Sequence, residues 1–253
     1  MLQSLNRGLE ILEYMAITHN GASVTELAHV FSVNKSTISR IVAVLIDHGL
    51  VYREEKTGRL RLGTGSLMYS YHVMSDYHIL DFARPIIARL AAETCKTSHL
   101  ATLHGDILYV MDHVKHEDNR HMKDPTIPGM LEPVYCTAVG KVLLAFMDPT
   151  EARGILERVD RPIYTPNTVT DVDAIMDLLP RIRNDGYAMD CEELRSNVFC
   201  VAVPIFVNQQ AVSSIGLTGT INFAQNPEHL RFCISKLQSA AAELSQNLCS
   251  SKV

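Results

Sequence analysis

The apolar positions of the first fifty residues repeat with a helical period. In SLNRGLEILEYMAI, Leu5, Leu9, Leu12 and Ala16 fall at i, i+4, i+7 and i+11, which predicts an amphipathic helix with those four on its buried side. In SVTELAHVF, Ser23 and Glu26 stand at capping-box spacing ahead of Leu27, Ala28 and Phe31, the mark of a second, short helix. Ser32-Val33-Asn34 then separates this helix from KSTISRIVAVLIDHG. Asn34 suits an N-cap there, Ile38, Ile41, Val42 and Leu45 form the buried stripe, and Gly49 supplies the stop. LVYREEKTGRLRL follows as two β-prone pieces around Lys56-Thr57-Gly58, a hairpin signal. Three helices, a tight turn between the second and third, then a hairpin: this is the order of a winged helix-turn-helix.

The start of the third helix is wet for a reason that this order supplies. Lys35, Ser36, Thr37, Ser39 and Arg40 crowd ahead of the apolar run, where the N-terminal half of a recognition helix faces the major groove of double-stranded DNA. Arg59 and Arg61 on the hairpin suit adjacent phosphates or the minor groove. The competing reading is a solvated helix start in an ordinary helical subdomain.

Residues 64–78 are rich in Ser and Tyr and read as a linker, partly helical, between a unit at 1–63 and a second at 79–253. In DFARPIIARLAAETC, Phe82, Ile86, Ile87 and Leu90 share one side of a helix, with Pro85 expected in its first turn. SHLATLH and ILYVMDHV alternate across a Gly105-Asp106 turn as a hairpin. Three helical stretches follow, TAVGKVLLAFM, DPTEARGILERV and DVDAIMDLLPRIRNDG. CVAVPIFV and AVSSIGLTGTI read as two apolar strands, and HLRFCISKLQSAAAELSQNL as a closing helix. Strands between helices predict an α+β sheet domain.

Composition narrows the classes. The 253 residues carry a formal charge of −5, yet residues 1–63 hold seven Lys and Arg against six Asp and Glu, +1, leaving −6 for the rest. Phosphate contact is therefore expected only as a local patch in the first quarter. No run of about 18 apolar residues predicts a membrane span. The N-terminus lacks the basic start and apolar block of a signal peptide, so a cytoplasmic location is expected. Six cysteines without CxxC spacing predict reduced thiols, not a disulfide framework.

Candidate chemistry is sparse. Cys136 precedes a helix, whose dipole lowers a thiol pKa, but no His accompanies it in a local motif. His113, His116 and His121 with Asp112, Glu117, Asp118 and Asp124 match no standard metal spacing, and a solvated loop is the simpler reading. There is no phosphate loop, GxSxG or GxGxxG, and no cofactor is implied. GYAMDCEELRSNVFCVAVPIF places Asp190, Cys191, Glu192, Glu193 and Arg195 just ahead of a strand. Two readings stand: polar groups lining a small-molecule pocket, or a charged surface loop.

The chain resembles the IclR family of bacterial transcriptional regulators along nearly its whole length. SLNRGLEILEYM, the LA of TELA, NKSTISRIVAVLIDHGLV and GRLRLG match in order at the N-terminus. ILYVMDHV, YCTAVGKVLLAF and GYAMDCEELRSNVFCVAVPIF resemble the family's GAF-like effector domain. The resemblance implies a winged helix-turn-helix DNA-binding domain, a linker helix and a C-terminal GAF-like α/β effector-binding domain. It further implies a homodimer or homotetramer that responds to small metabolites, often carboxylates, and more often as a repressor than as an activator. Residue by residue, it assigns Lys35, Ser36, Thr37 and Arg40 to DNA and Ala138, Val139, Asp190, Val198, Cys200, Gly216 and Thr218 to the effector. Three positions depart from the pattern: Gly216 lacks a hydroxyl, Asn197 stands where Gly is usual, and Val207 replaces an Asp. Two alternatives are a DNA-binding protein whose second domain only oligomerises, which a ligand-induced melting shift would exclude, and an enzyme with a DNA-binding appendage.

Overall fold

The computed structural model describes residues 2–18, 20–76, 79–117 and 127–250. The chain divides into two compact units, residues 1–77 and 78–253.

The first unit runs α1 (Gln3–Ile17), α2 (Val24–Val30), α3 (Lys35–Asp47), β1 (Val51–Arg53), β2 (Leu60–Leu62) and α4 (Ser66–Asp76). Ile11, Met15, Leu27, Ile38, Val42, Leu45, Val51 and Leu60 make one buried cluster, so three helices and the hairpin share a core. The buried side of α1 differs from the expected one: Gly8, Ile11 and Met15 face inward, while Leu5 and Leu9 are 59% and 52% exposed. The reason is the crossing with α3. At Gly8 a Cβ would lie 3.6 Å from Ile41 Cγ2, so the Ile41 side chain of α3 packs over the glycine side of α1 and the leucines turn outward.

The ends of α2 and α3 follow from local chemistry. The Glu26 N–H donates to Ser23 Oγ (3.1 Å) and the Ser23 N–H donates to Glu26 Oε2 (2.6 Å), a complete capping box. Asn34 takes the N-cap position of α3 with extended backbone, but its side chain accepts no cap hydrogen bond, contrary to expectation. Gly49, at φ 68°, ends α3 as expected. β1 and β2 pair antiparallel with Val51 opposite Leu62, and Ala22 joins as a bridge to Leu60. Gly21 permits that bridge, since a Cβ there would lie 2.4 Å from the Leu60 carbonyl oxygen.

The second unit opens with α5 (Ile79–Thr94). Pro85 lies in the interior of α5, not its first turn, because the helix begins at Ile79. β3 (Thr97–His104), β4 (Ile107–Val114), β5 (Leu131–Glu132), α6 (Ala138–Phe146), α7 (Pro149–Arg158), α8 (Val172–Asp185), β6 (Ala188–Cys191), β7 (Val198–Val207), β8 (Gln210–Thr220) and α9 (Pro227–Ser250) complete it. The six strands form one antiparallel sheet in the order β5-β4-β3-β8-β7-β6. α6 packs on β6, β7 and β8 with α7 and α8 behind it, while α5 and α9 pack on β3, β4, β7 and β8. Along β7, Cys200 and Ala202 join the α6 cluster, and Phe199, Val201 and Val203 are buried on the alternate positions. The result is a helix–sheet–helix sandwich with a β strand layer buried on both faces.

Candidate functional site

In the first unit, α3 presents its polar start as the sequence suggests. Lys35, Ser36, Ser39 and Arg40 are exposed and Thr37 is half-buried, while Ile38, Val42 and Leu45 turn to the core. The side chains assigned to DNA therefore lie outside the face that holds the helix in place.

The hairpin arginines are engaged within the unit. Arg59 donates from Nε to the Asn20 carbonyl (2.9 Å), from Nη2 to the Gly21 carbonyl (2.8 Å), and pairs with Glu26 (2.9 Å). It ties the hairpin to the start of α2, and its guanidinium nitrogens are all engaged within the fold. Arg61 pairs with Glu54 at 3.1 Å, with both side chains about one-third exposed. Arg59 meets partners that sequence spacing did not reveal, because Asn20, Gly21 and Glu26 are brought beside the hairpin only by the fold, whereas Arg61 pairs within the hairpin itself.

In the second unit, a narrow, partly open cavity lies between the sheet, the start of α6 and the segment after β6. His99, Glu132, Thr137, Ala138, Val139, Asp190, Leu194, Arg195, Val198, Cys200 and Thr218 line it. Its volume is about 20 Å³, room for about one water molecule. Six of the seven residues assigned to the effector thus meet here. Gly216 lies beneath the wall, opposite His99 in the β3–β8 ladder.

Each wall has a local cause. Thr137 caps α6 by accepting from the Gly140 N–H at 3.2 Å, so the helix starts at Ala138 with its first amides and positive dipole end toward the cavity. Cys200 Sγ and Thr218 Oγ1 lie 3.1 Å apart across the β7–β8 pair, and Thr218 Oγ1 lies 3.5 Å from His99 Nδ1. The hydroxyl missing at Gly216 is answered by that imidazole: a Cβ on Gly216 would lie 2.7 Å from His99 Nε2 and 3.2 Å from Val139. His99 escaped notice in the sequence because no motif marks it, and its relation to Gly216 is a cross-strand one.

Asp190 is 2% exposed, and its Oδ1 accepts from the Glu193 N–H at 2.7 Å. Burial pushes its carboxyl up to about 7, against the pull of that backbone hydrogen bond and of Lys141. Lys141 and Glu193 form a buried ion pair beside it. Burial also raises Glu193, opposed by Lys141. Cys136 is completely buried, and burial pushes its thiol up to about 12. The helix-start expectation of a lowered pKa is overturned there, since desolvation of the thiolate outweighs the dipole. Among the described residues no cluster of three or more His, Cys, Asp and Glu is placed to hold a metal. His121, Asp118 and Asp124 of the polar run after β4 lie outside the described residues. Among the described residues no helix is long and apolar enough to cross a membrane.

Comparison with known proteins agrees with this architecture. The family domain described as "Bacterial transcriptional regulator IclR C-terminal" matches residues 71–246, and the "IclR helix-turn-helix domain" matches residues 4–55. The HTH-type transcriptional regulator XynR of Escherichia coli (strain K12) is 28% identical over 249 residues, 98% of each chain. The DNA-binding transcriptional repressor YiaJ of the same organism is 31% identical over 209 residues, covering 81% of this chain and 73% of the relative. The crystal structure of the Thermotoga maritima IclR superposes with a TM-score of 0.79 at 29% identity, covering 98% of this chain and 100% of that one. With a DNA-binding helix-turn-helix at one end and the regulator's C-terminal domain at the other, the chain belongs to the IclR family of bacterial transcriptional regulators.

Proposed function

We propose that this regulator binds a small carboxylate effector in the cavity of its C-terminal unit and that the effector controls its hold on operator DNA, with repression as the mode. The observation that carries the reading is the convergence in one cavity of a helix start at Ala138 and Val139 with Asp190, Cys200, Thr218 and His99. First-turn amides and the helix dipole receive a carboxylate without a dedicated cation. The acid, thiol, hydroxyl and imidazole supply donors and acceptors for the rest of a small ligand, and Val198 and Leu194 supply apolar wall. A neutral Asp190 donates a hydrogen bond to an anionic ligand instead of repelling it, which its raised pKa favours near pH 7.

On the DNA side, Lys35, Ser36, Thr37, Ser39 and Arg40 read or grip the major groove, and two copies of α3 in a homodimer or homotetramer address paired half-sites. Arg59 and Arg61 support the hairpin and contribute positive potential near phosphates. The name of YiaJ as a repressor, at 31% identity, favours repression over activation here. Effector and operator are linked through the placement of the two α3 helices, so whichever ligand binds better to one placement shifts the population toward it.

The test is a thermal-shift screen of the purified protein against small carboxylates, sugar acids and aromatic acids, repeated on Asp190→Ala and Cys200→Ala. A ligand held at one hundred times its Kd adds about 2.7 kcal/mol to stability, a readily measured rise in Tm. The reading expects a hit that both variants lose. A hit that survives both substitutions would move the site elsewhere.

A further inference from the structure

We infer that the segment from Glu192 to Asn197 is the gate of the cavity, and that Thr165 and Thr168 latch it shut from outside. This rests on the effector-site reading. The cavity is too small for an organic acid: about 20 Å³ holds a water, whereas ligand sites run to some hundreds of Å³. A wall must therefore move. Most walls are fixed, since His99, Cys200 and Thr218 sit in the middle of sheet ladders and Ala138 and Val139 open a fully buried helix. Thr137, Leu194 and Arg195 are the lining residues that belong to neither strand nor helix, and Thr137 is fixed as the N-cap of α6 by its bonds to the Pro133 carbonyl and the Gly140 N–H.

The segment has the parts of a strap. It is bounded by two non-glycine residues in the left-handed region, Glu192 at φ 59° and Asn197 at φ 62°. Single residues of this kind are where a short segment turns, and the departure from Gly at Asn197 leaves one such turn in a residue that tolerates it. The two ends are held to each other: the Glu192 N–H donates to the Val198 carbonyl (2.9 Å) and the Asn197 N–H to Glu192 Oε1 (2.6 Å). Closed, the strap seats Glu193 on Lys141 and caps its own turn on Asp190.

The outer fastening comes from the loop between α7 and α8. Thr165 Oγ1 donates to the Glu192 carbonyl (2.6 Å) and Thr168 Oγ1 to the Glu193 carbonyl (2.6 Å). That loop is itself anchored, with Arg161 donating to the Val159 and Thr170 carbonyls and the Tyr135 hydroxyl bonded to the Pro162 carbonyl. The latch thus joins a well-held loop to the strap by side-chain hydroxyls, so it is released without breaking a strand or a helix. Opening swings Leu194 and Arg195 away from Cys200.

Cys200 provides the readout without any effector. This residue is half-buried and lines the cavity, Cys95, Cys191 and Cys249 are exposed, and Cys136 and Cys233 are buried, Cys233 on α9. The thiols are alkylated with N-ethylmaleimide in the full-length apo protein and the rates resolved by peptide mass mapping. Thr165→Val with Thr168→Val should accelerate Cys200 about tenfold, as expected for losing two ordinary hydrogen bonds from the closed form, with Cys233 unchanged. Thr168→Ser, which keeps the hydroxyl, should label at the wild-type rate. If the double variant does not fold, Thr168→Val alone is read in the same way with a smaller acceleration. An unchanged Cys200 rate, or equal acceleration at Cys233, overturns the gate. Because no effector is present, failure here leaves the carboxylate reading standing, and failure of the ligand screen leaves the gate standing.

Discussion

At Gly216 a single missing atom organises the cavity wall. A methyl group there would run into the His99 imidazole at 2.7 Å, and into Val139 on the far side. Gly216→Ala should therefore cost about 1–3 kcal/mol, and His99→Ala in the same chain should recover part of it, a coupling that a double-mutant cycle of urea melts measures. Asp190 makes a second residue-scale prediction, of pH dependence. Its carboxyl ionises near 3.8 when exposed and near 7 in the fold. Between those values the native state holds a proton that the unfolded state has released, so this residue makes stability fall as pH rises from about 4 to about 7, then level off. Asp190→Asn removes that slope. Its stability relative to wild type should climb by on the order of 3 kcal/mol between pH 4 and pH 8, and denaturant melts at the two pH values check it. On α3, Arg40→Ala should weaken operator binding by about 1–3 kcal/mol at matched salt if the guanidinium reads a base, as a titration by fluorescence anisotropy would show.

Among the elements, α2 is the shortest helix of the first unit and depends on its cap. Ser23→Ala deletes one half of the capping box and should lower stability by about 1 kcal/mol, measured by thermal melting. Glu26 is tied both to Ser23 and to Arg59, so Glu26→Ala should cost more than the cap alone by loosening the hairpin as well. Helix ends and turns were legible from sequence wherever the cause is local. The capping box, Gly49 and the Gly105 and Lys56–Gly58 turns are written in adjacent residues. What the sequence hid is set by partners distant along the chain. α1 carries two apolar stripes, and only the crossing at Gly8 and Ile41 decides that Ile11 and Met15 are the buried one. That Arg59 also braces the hairpin against Asn20 and Gly21 is visible only in the fold. β6 passed for a loop because its four residues, Ala188–Cys191, are too few and too polar to show a period. The residues of the cavity were reached through family resemblance more than through pattern, and His99, which no motif marks, was reached only through the structure.

Across the whole molecule, the two units differ in how far along the chain their contacts reach. Helix pairs and a hairpin within residues 1–77 build the first. The sheet of the second is made of two blocks, β3 to β5 and β6 to β8, that meet only where β3 pairs with β8, Thr97 opposite Thr218. The cavity sits across that seam, with His99 from one block and Thr218 and Cys200 from the other. This pairing closes a loop of more than a hundred residues, the slow kind of step in folding, whereas the hairpin of the first unit meets Asn20 and Ala22 across loops of about forty. During synthesis the helix-turn-helix part is therefore able to fold first, and the C-terminal unit has no complete sheet until β8 has left the ribosome. A nascent chain passes through an interval in which its helix-turn-helix is complete and its sheet is not.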